Sequence, residues 1–200
     1  MPAGGRREQI LQGALEIFPK KGFRGTTTRE IAHRLGISEA LMFKYFPSKE
    51  ALYRAIFRKK TEGLENHFFF EEAIRAKDDR QVFQSIASYL LRKNTEDPTF
   101  IRLALYSGLE GQGHDLFRIL LKANVMEKTR ILSRYIRRRI KEKTFNKVPP
   151  LLAVQAFIGM VMDYAYLQEI YGMKNLFHFS QKKVVDTFVD SFLDGLRGNV

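Results

Sequence analysis

The sequence predicts an all-α protein of about nine helices, with a small N-terminal head and a larger helical body. Apolar residues recur every three or four positions through most of the chain, and no convincing alternating strand pattern occurs. Glycine, proline and capping residues divide this pattern into segments. The 200 residues are enough to bury a sizeable core. We place the head at residues 4–64 and the body at residues 65–200.

The first helix is predicted by apolar residues at helical spacing, which are Ile10, Leu11, Ala14, Ile17 and Phe18. Pro19 comes directly after this pattern. A proline in the last turn removes one hydrogen bond and its ring clashes with the carbonyl of Leu15. We therefore expect a kink or an early end of the helix near Phe18.

Residues 27–46 predict two short helices joined by a tight turn, which is a helix-turn-helix. Thr27 and Glu30 have the spacing of a capping box that begins the first of them. Gly36 lies where a left-handed residue would end that helix, and Ser38 can cap the second. The residues predicted to turn inward are Ile37, Met42 and Phe46. The outward face is then free to meet a partner.

Further helices are predicted along the rest of the chain. Ser48 can cap a helix that runs towards Phe70. Later patterns lie at about 80–95, 99–110, 115–143, 150–171 and 181–197. The segment 150–171 is the most apolar, but polar and charged side chains interrupt it before about 18 uncharged residues accumulate. We interpret it as a buried helix and expect no membrane partner.

Charge and composition narrow the function. The net charge is +12, and residues 1–60 hold 13 basic and 5 acidic side chains. Such a field attracts phosphate and favours nucleic acid as a partner. The chain has no cysteine, its four histidines lack metal-site spacing, and no glycine-rich phosphate loop occurs. We therefore expect neither an enzyme nor a cofactor or metal. The first ten residues lack a signal-peptide core, which favours the cytoplasm.

Over residues 4–64 the sequence resembles the TetR family of bacterial transcriptional regulators. The matching positions, at the family's spacing, are Thr27, Thr28, Ile31, Ala32, Gly36, Ile37, Ser38, Phe46, Lys49, Glu50 and Leu52. The resemblance implies a DNA-binding head and a body that binds a small-molecule effector and forms a homodimer. Beyond Phe70 it implies only length and helical character.

The resemblance also implies which side chains meet DNA. Thr27 and Thr28 would approach a phosphate, and Arg29 would enter the major groove. The groove would further be lined by Ser38, Glu39, Ala40, Phe43 and Lys44, with Tyr45 and Lys49 on backbone phosphates. Arginine can pair with guanine at two atoms, so we assign sequence reading chiefly to Arg29 and Lys44. Phe43 stands where the family usually has tyrosine, and its ring can instead touch a thymine methyl group.

The resemblance further implies that the last two helices pair with those of a second copy. Wide apolar stripes on 150–171 and 181–197 support this independently. The predicted interface residues are Phe157, Val161, Val185, Phe188 and Phe192. The alternative is that these stripes are ordinary core of a single chain. A twofold dimer would require a pseudo-palindromic operator on double-stranded DNA.

The resemblance also implies an effector site in the middle of the body. A largely apolar pocket would be lined by Phe68, Phe69, Leu103, Tyr106, Phe117, Met126, Met160 and Tyr164. Core packing is the alternative for each of them. Asp163 lies in the least polar helix, so we expect a buried carboxylate that needs a partner such as a cationic or hydroxylated ligand, an arginine across the dimer or a local tyrosine.

These observations favour a repressor that a small molecule releases from its operator. A transcriptional activator is a variant, because the outcome depends on where the operator lies. A nonspecific architectural DNA-binding protein without an effector would use the same head and charge. A body of more than 130 residues is larger than simple DNA coating requires.

Overall fold

The computed structural model describes residues 5–61, 70–110, 114–176 and 179–197, with the backbone alone at 61 and 114–125. These residues form α-helices and no strand, which confirms the predicted all-α class. The helices are α1 (Arg6–Lys21), α2 (Thr28–Arg34), α3 (Glu39–Tyr45), α4 (Lys49–Thr61), α5 (Glu71–Ala76), α6 (Asp79–Glu96), α7 (Thr99–Glu110), α8 (His114–Lys141), α9 (Pro150–Glu169) and α10 (Gln181–Arg197), with a 3-10 turn at Met173–Asn175. The short α5 has no counterpart among the predicted helices.

The chain divides into two compact units. The first unit comprises residues 1–65 and 99–123, and the second comprises residues 66–98 and 124–200. The first unit therefore holds α7 in addition to the four N-terminal helices. The boundary predicted between residues 64 and 65 stays a prediction.

An aromatic cluster forms the centre of the first unit. The ring of Tyr53 lies 4.9 Å from that of Phe18, 5.1 Å from that of Phe23 and 5.0 Å from that of Phe57. Met42 and Phe46 are buried beside them and Ile37 packs against them, which confirms the predicted inward side of α3. This core fixes α3 with its opposite side outward.

The first helix differs from its prediction at its end. α1 continues through Pro19 to Lys21, so the early end near Phe18 is wrong, and the alternative of a kink at the proline stays a prediction. Residues after the proline still find partners. The Gly22 N–H donates to the Phe18 carbonyl at 2.9 Å, and the Tyr106 hydroxyl donates to the Lys20 carbonyl at 2.9 Å. These bonds hold the last turn in helical form.

The second unit packs α6, α9 and α10 around a second aromatic core. The rings of Phe83, Phe157 and Phe192 lie 4.9–5.0 Å apart. α9 is buried along the face that carries Val154, Phe157, Val161 and Ala165. Leu151 and Leu152 at its start are exposed. Of the helices that the structure describes, α9 alone has the length and apolar composition of a membrane span. The expectation of a buried helix thus holds for one face.

A buried carboxylate connects α6, α8 and α10 within the second unit. Asp79 accepts hydrogen bonds from the Tyr135 hydroxyl at 2.6 Å, from Arg139 Nε at 2.8 Å and from an Arg197 guanidinium nitrogen at 3.3 Å. Burial, together with this bond to the carboxylate, raises the pKa of the Tyr135 hydroxyl. The charge of Asp79 is therefore compensated inside the protein.

Candidate nucleic-acid interface

The caps of α2 and α3 set the geometry of the helix-turn-helix. The Thr27 hydroxyl accepts from the Glu30 N–H and the Ser38 hydroxyl accepts from the Leu41 N–H, both at 3.1 Å. Gly36 has a φ of 64°, the left-handed conformation expected at the end of α2. The second half of the predicted capping box is absent at Glu30, whose carboxylate instead pairs with Lys21 at 2.6 Å.

The outward face of the motif carries exposed basic and aromatic side chains. Arg29 on α2 and Ala40, Phe43, Lys44 and Tyr45 on α3 are all exposed. Large aromatic rings are usually buried, yet the exposed fractions of Phe43 and Tyr45 are both 40%. This face presents cations for phosphate or base edges, together with rings for apolar contact.

Thr28 and Glu39 join the starts of α2 and α3. The Thr28 hydroxyl donates to the Glu39 carboxylate at 2.7 Å, and both side chains are half-buried. Thr28 was predicted to meet a phosphate. Its single hydroxyl proton is already directed to Glu39 in this structure, so a hydroxyl–phosphate bond would first require release of Glu39.

Lys49 was predicted to bind a DNA phosphate, but its ammonium faces the protein's own backbone. It donates to the carbonyls of Phe23 and Thr26, both at 2.9 Å, and lies 4.2 Å from the centre of the Phe23 ring. Two of the three ammonium protons are therefore used within the protein. In this structure Lys49 holds the connection between α1 and α2.

Glu110 holds the same connection from another side, and sequence reasoning missed it. Its carboxylate accepts from the Phe23 N–H at 2.8 Å and from the Arg24 N–H at 3.2 and 3.3 Å. Gly22 has a φ of 73°, and a Cβ there would lie 2.2 Å from the Glu110 carboxylate. No local sequence pattern predicts this contact, because 86 or 87 residues separate the partners.

Most of the predicted dimer residues are buried within the second unit. Phe157 and Val161 are fully enclosed, and Val185 and Phe192 are also buried. Phe188 is the one member of the set that is partly exposed. These four side chains are covered by their own chain, as the alternative of ordinary core expects. Dimerisation itself stays a prediction.

The predicted effector residues are divided between the two units. Leu103 is fully buried in the core of the first unit, which also holds Tyr106. Met126, Met160, Asp163 and Tyr164 belong to the second unit. Phe68 and Phe69 lie outside the described residues, as does the side chain of Phe117.

Asp163 is exposed, so the expected buried carboxylate at this position is wrong. It lies on the outward side of α9, one turn from exposed Gly159. The buried acid of this helix is Glu169, which pairs with Lys174 at 2.7 Å. Periodicity did not separate the two because α9 is apolar nearly all round.

An apolar groove opens on the surface of α9 and α10. Its volume is 480 Å³, and its lining is Tyr164, Leu167, Phe179, Lys183, Val184, Thr187 and Phe188. The Tyr164 and Phe188 rings lie 5.9 Å apart, edge to face. The lining of this groove includes one predicted effector residue, Tyr164, and one predicted dimer residue, Phe188. Among the described residues, no cluster of histidine, aspartate and glutamate side chains suits a metal ion.

Sequence comparison matches the N-terminal segment to a known family. Residues 10–56 match the family described as "Bacterial regulatory proteins, tetR family". The HTH-type transcriptional regulator RutR of Escherichia coli (strain K12) is 44% identical over 54 residues, which are 27% of this chain and 26% of RutR. The HTH-type transcriptional activator FasR of Mycolicibacterium smegmatis is 34% identical over 64 residues, which are 32% of this chain and 29% of FasR. The chain thus matches little more than a quarter of the length of these relatives.

Structural comparison extends over nearly the whole chain. PfmR from Thermus thermophilus, a TetR family transcriptional regulator, superimposes with a TM-score of 0.70 at 22% identity. The superposition covers 94% of this chain and 99% of PfmR. At that identity the likeness establishes the fold. Residues 10–56 therefore match the N-terminal segment of the TetR family of bacterial regulatory proteins, and the whole chain has the fold of a TetR family regulator.

Proposed function

We propose that the protein is a sequence-specific DNA-binding transcriptional regulator, and specifically a repressor that a small molecule releases from its operator. The observation that carries this proposal is the capped helix-turn-helix, whose inner side is buried and whose outer side holds exposed Arg29 and Lys44. A helix-turn-helix places its second helix in the major groove. The protein would act in the cytoplasm, without cofactor and without catalysis.

On DNA, α3 would lie in the major groove and α2 would cross the backbone. Arg29 and Lys44 would read base edges, where a bidentate arginine–guanine pair discriminates by about 1–3 kcal/mol. Phe43 would contact a thymine methyl group, and Ala40 would approach the base edges. The hydroxyls of Thr27 and Tyr45 would lie near backbone phosphates, and Ser38 would line the groove.

The proposed homodimer would use the outer surface of α9 and α10. Leu152 on α9 is exposed, and exposed Phe179 lines the apolar groove together with Phe188. Exposed apolar patches often mark sites of protein–protein contact. A second copy would cover this surface and would present two recognition helices to a pseudo-palindromic operator.

The proposed effector is a small, largely apolar molecule that binds the body and favours a conformation in which the heads no longer fit DNA. Met160 and Tyr164 are partly accessible in the second unit and fit such a ligand, whereas Leu103 is enclosed. A transcriptional activator is the alternative form of this proposal, because the relative FasR is named a transcriptional activator.

The experiment is fluorescence anisotropy with the protein's own upstream DNA and a scrambled duplex at about 150 mM salt, where nonspecific binding is weak. We expect tighter binding to the native duplex, and a loss of at least about fivefold in affinity for Arg29→Ala and Lys44→Ala. Lys147→Ala removes an exposed cation of the second unit and serves as the matched control. Equal binding of both duplexes would favour the architectural alternative instead.

A further inference from the structure

We propose that Glu39 reads a cytosine in the operator and that Thr28 is the positioning residue that holds its carboxylate. This inference rests on the proposed DNA-binding function and adds to it the base that one acidic side chain selects. It departs from the sequence-based expectation, in which Thr28 meets a phosphate and Arg29 and Lys44 read the sequence.

The position of Glu39 brings it to the DNA-facing side of the motif. Glu39 and Phe43 are four residues apart on α3 and therefore share one face of the helix. Ala40 and Phe43 on this side are exposed, and Met42 on the opposite side is buried. A carboxylate beside Phe43 would thus lie among the base edges when α3 enters the groove.

The partner of Glu39 differs from the partners of three other acids of the first unit. Glu8 pairs with Lys59, Glu16 pairs with Arg34 at 2.5 Å, and Glu30 pairs with Lys21 at 2.6 Å. Each of those three carboxylates is compensated by a cation. Glu39 instead accepts from the neutral hydroxyl of Thr28 at 2.7 Å, so its negative charge is kept.

A retained negative charge on this face has a chemical consequence. Phosphates repel a carboxylate, so Glu39 weakens DNA binding unless a base donates a hydrogen bond to it. In the major groove only cytosine N4 and adenine N6 carry donors. Adenine places its N7 acceptor beside N6, which repels a carboxylate, whereas cytosine presents its amino group without such a neighbour on the same base. Cytosine is therefore the base that fits.

Thr28 supplies the geometry for this contact. Its hydroxyl has one proton, which it donates to one Glu39 oxygen. That bond restricts the carboxylate and leaves the remaining acceptor sites for the cytosine amino group. Thr28 is not a helix cap, because the cap of α2 is Thr27. A change at Thr28 therefore tests positioning without removing a cap.

The experiment is selection of binding sites from a pool of randomised DNA duplexes by the full-length protein and by Glu39→Gln, Thr28→Val and Thr28→Ser. The wild type should enrich a motif in which one position in each half-site prefers cytosine by at least about fivefold. Glu39→Gln should change that position to adenine, because glutamine pairs with adenine N6 and N7. Thr28→Val should weaken the preference at the same position alone, and Thr28→Ser should restore it.

The outcomes separate this inference from the proposed function. A wild-type protein that enriches no motif would overturn both. A motif that is enriched by the wild type and is unchanged in Glu39→Gln would overturn only the reading role of Glu39. A cytosine preference that survives Thr28→Val intact would overturn the positioning role of Thr28. Circular dichroism of each variant checks that its helices are folded, and binding to the remaining motif positions checks that its head is intact.

Discussion

Replacing Asp79 with asparagine removes a buried negative charge while leaving the size of the side chain almost unchanged. The Asp79 side chain is 3% exposed and faces Arg139, whose side chain is 12% exposed. The new amide group would place N–H donors against the guanidinium donors of Arg139 and Arg197. The substitution therefore leaves positive charge in the second unit without its counter-ion.

The expected cost follows from burial and from the remaining partners. Breaking a buried ion pair by removing one partner costs about 3–5 kcal/mol. Arg139 keeps a second carboxylate, Glu142, at 2.6 Å, and Arg197 is 47% exposed and can turn to water. We therefore expect a loss near the lower limit, about 3 kcal/mol. At about 2–4 °C per kcal/mol for a chain of this size, the melting temperature should fall by about 6–12 °C.

Thermal and urea unfolding followed by far-UV circular dichroism measures this loss. Asp190→Asn is the matched control, because it removes the same charge from an exposed pair with Arg80, and exposed pairs contribute about 0–1 kcal/mol. If Asp79→Asn destabilises the protein no more than Asp190→Asn does, the buried network does not stabilise the second unit and the reasoning is refuted.

Two further predictions concern a glycine and an acidic side chain. Gly22→Ala should destabilise the first unit by about 1–3 kcal/mol or more, because its φ of 73° and ψ of −176° suit only glycine and because its Cβ would collide with Glu110. Gly108→Ala in α7 meets open space and should be neutral or slightly stabilising in the same unfolding assay. Hydrogen bonds from Lys77, and then from Arg139, lower the pKa of Glu142 from 4.5 to about 2. The unfolded chain binds more protons below pH 4.5, so the stability from Glu142 is present above that pH and lost as pH falls towards 2. Glu142→Gln should flatten this part of the stability–pH curve, and an unchanged curve would contradict the assignment.

The helix-turn-helix was predictable because its determinants are local. Thr27, Ser38 and Ser48 cap N–H groups three residues away, and Gly36 adopts a positive φ at the turn itself. Local chemistry of this kind acts on neighbours in the chain and is visible in the sequence. The all-α class was predictable for a similar reason, since helical periodicity extends over most segments.

The packing of the second unit was less predictable. α9 is apolar nearly all round, so periodicity could not separate its buried Phe157 from its exposed Leu152 or show that Asp163 faces outward. The contacts of Asp79 with Arg139 and Arg197 span 60 and 118 residues. Such pairs depend on which helices meet, and a single sequence carries no local sign of them.

The number of basic residues in the sequence exceeds the number of cations that are free to contact DNA. Residues 1–60 hold 13 basic side chains, and each contributes equally to a net charge. In the structure, however, Lys21, Arg34 and Lys59 pair with glutamates and Lys49 binds backbone carbonyls.

A cation that is already bound within the protein gains less free energy from a phosphate contact, because the new contact must replace the old one. Arg29 and Lys44 make no ion pair among the described residues and remain exposed, so in the proposed complex they would meet DNA without such a loss. The surface proposed to meet DNA is therefore smaller than the total charge indicates, and it would be centred on α2 and α3. The same reasoning explains why Lys49 was assigned to phosphate from its position in the motif, although its ammonium holds the connection between α1 and α2.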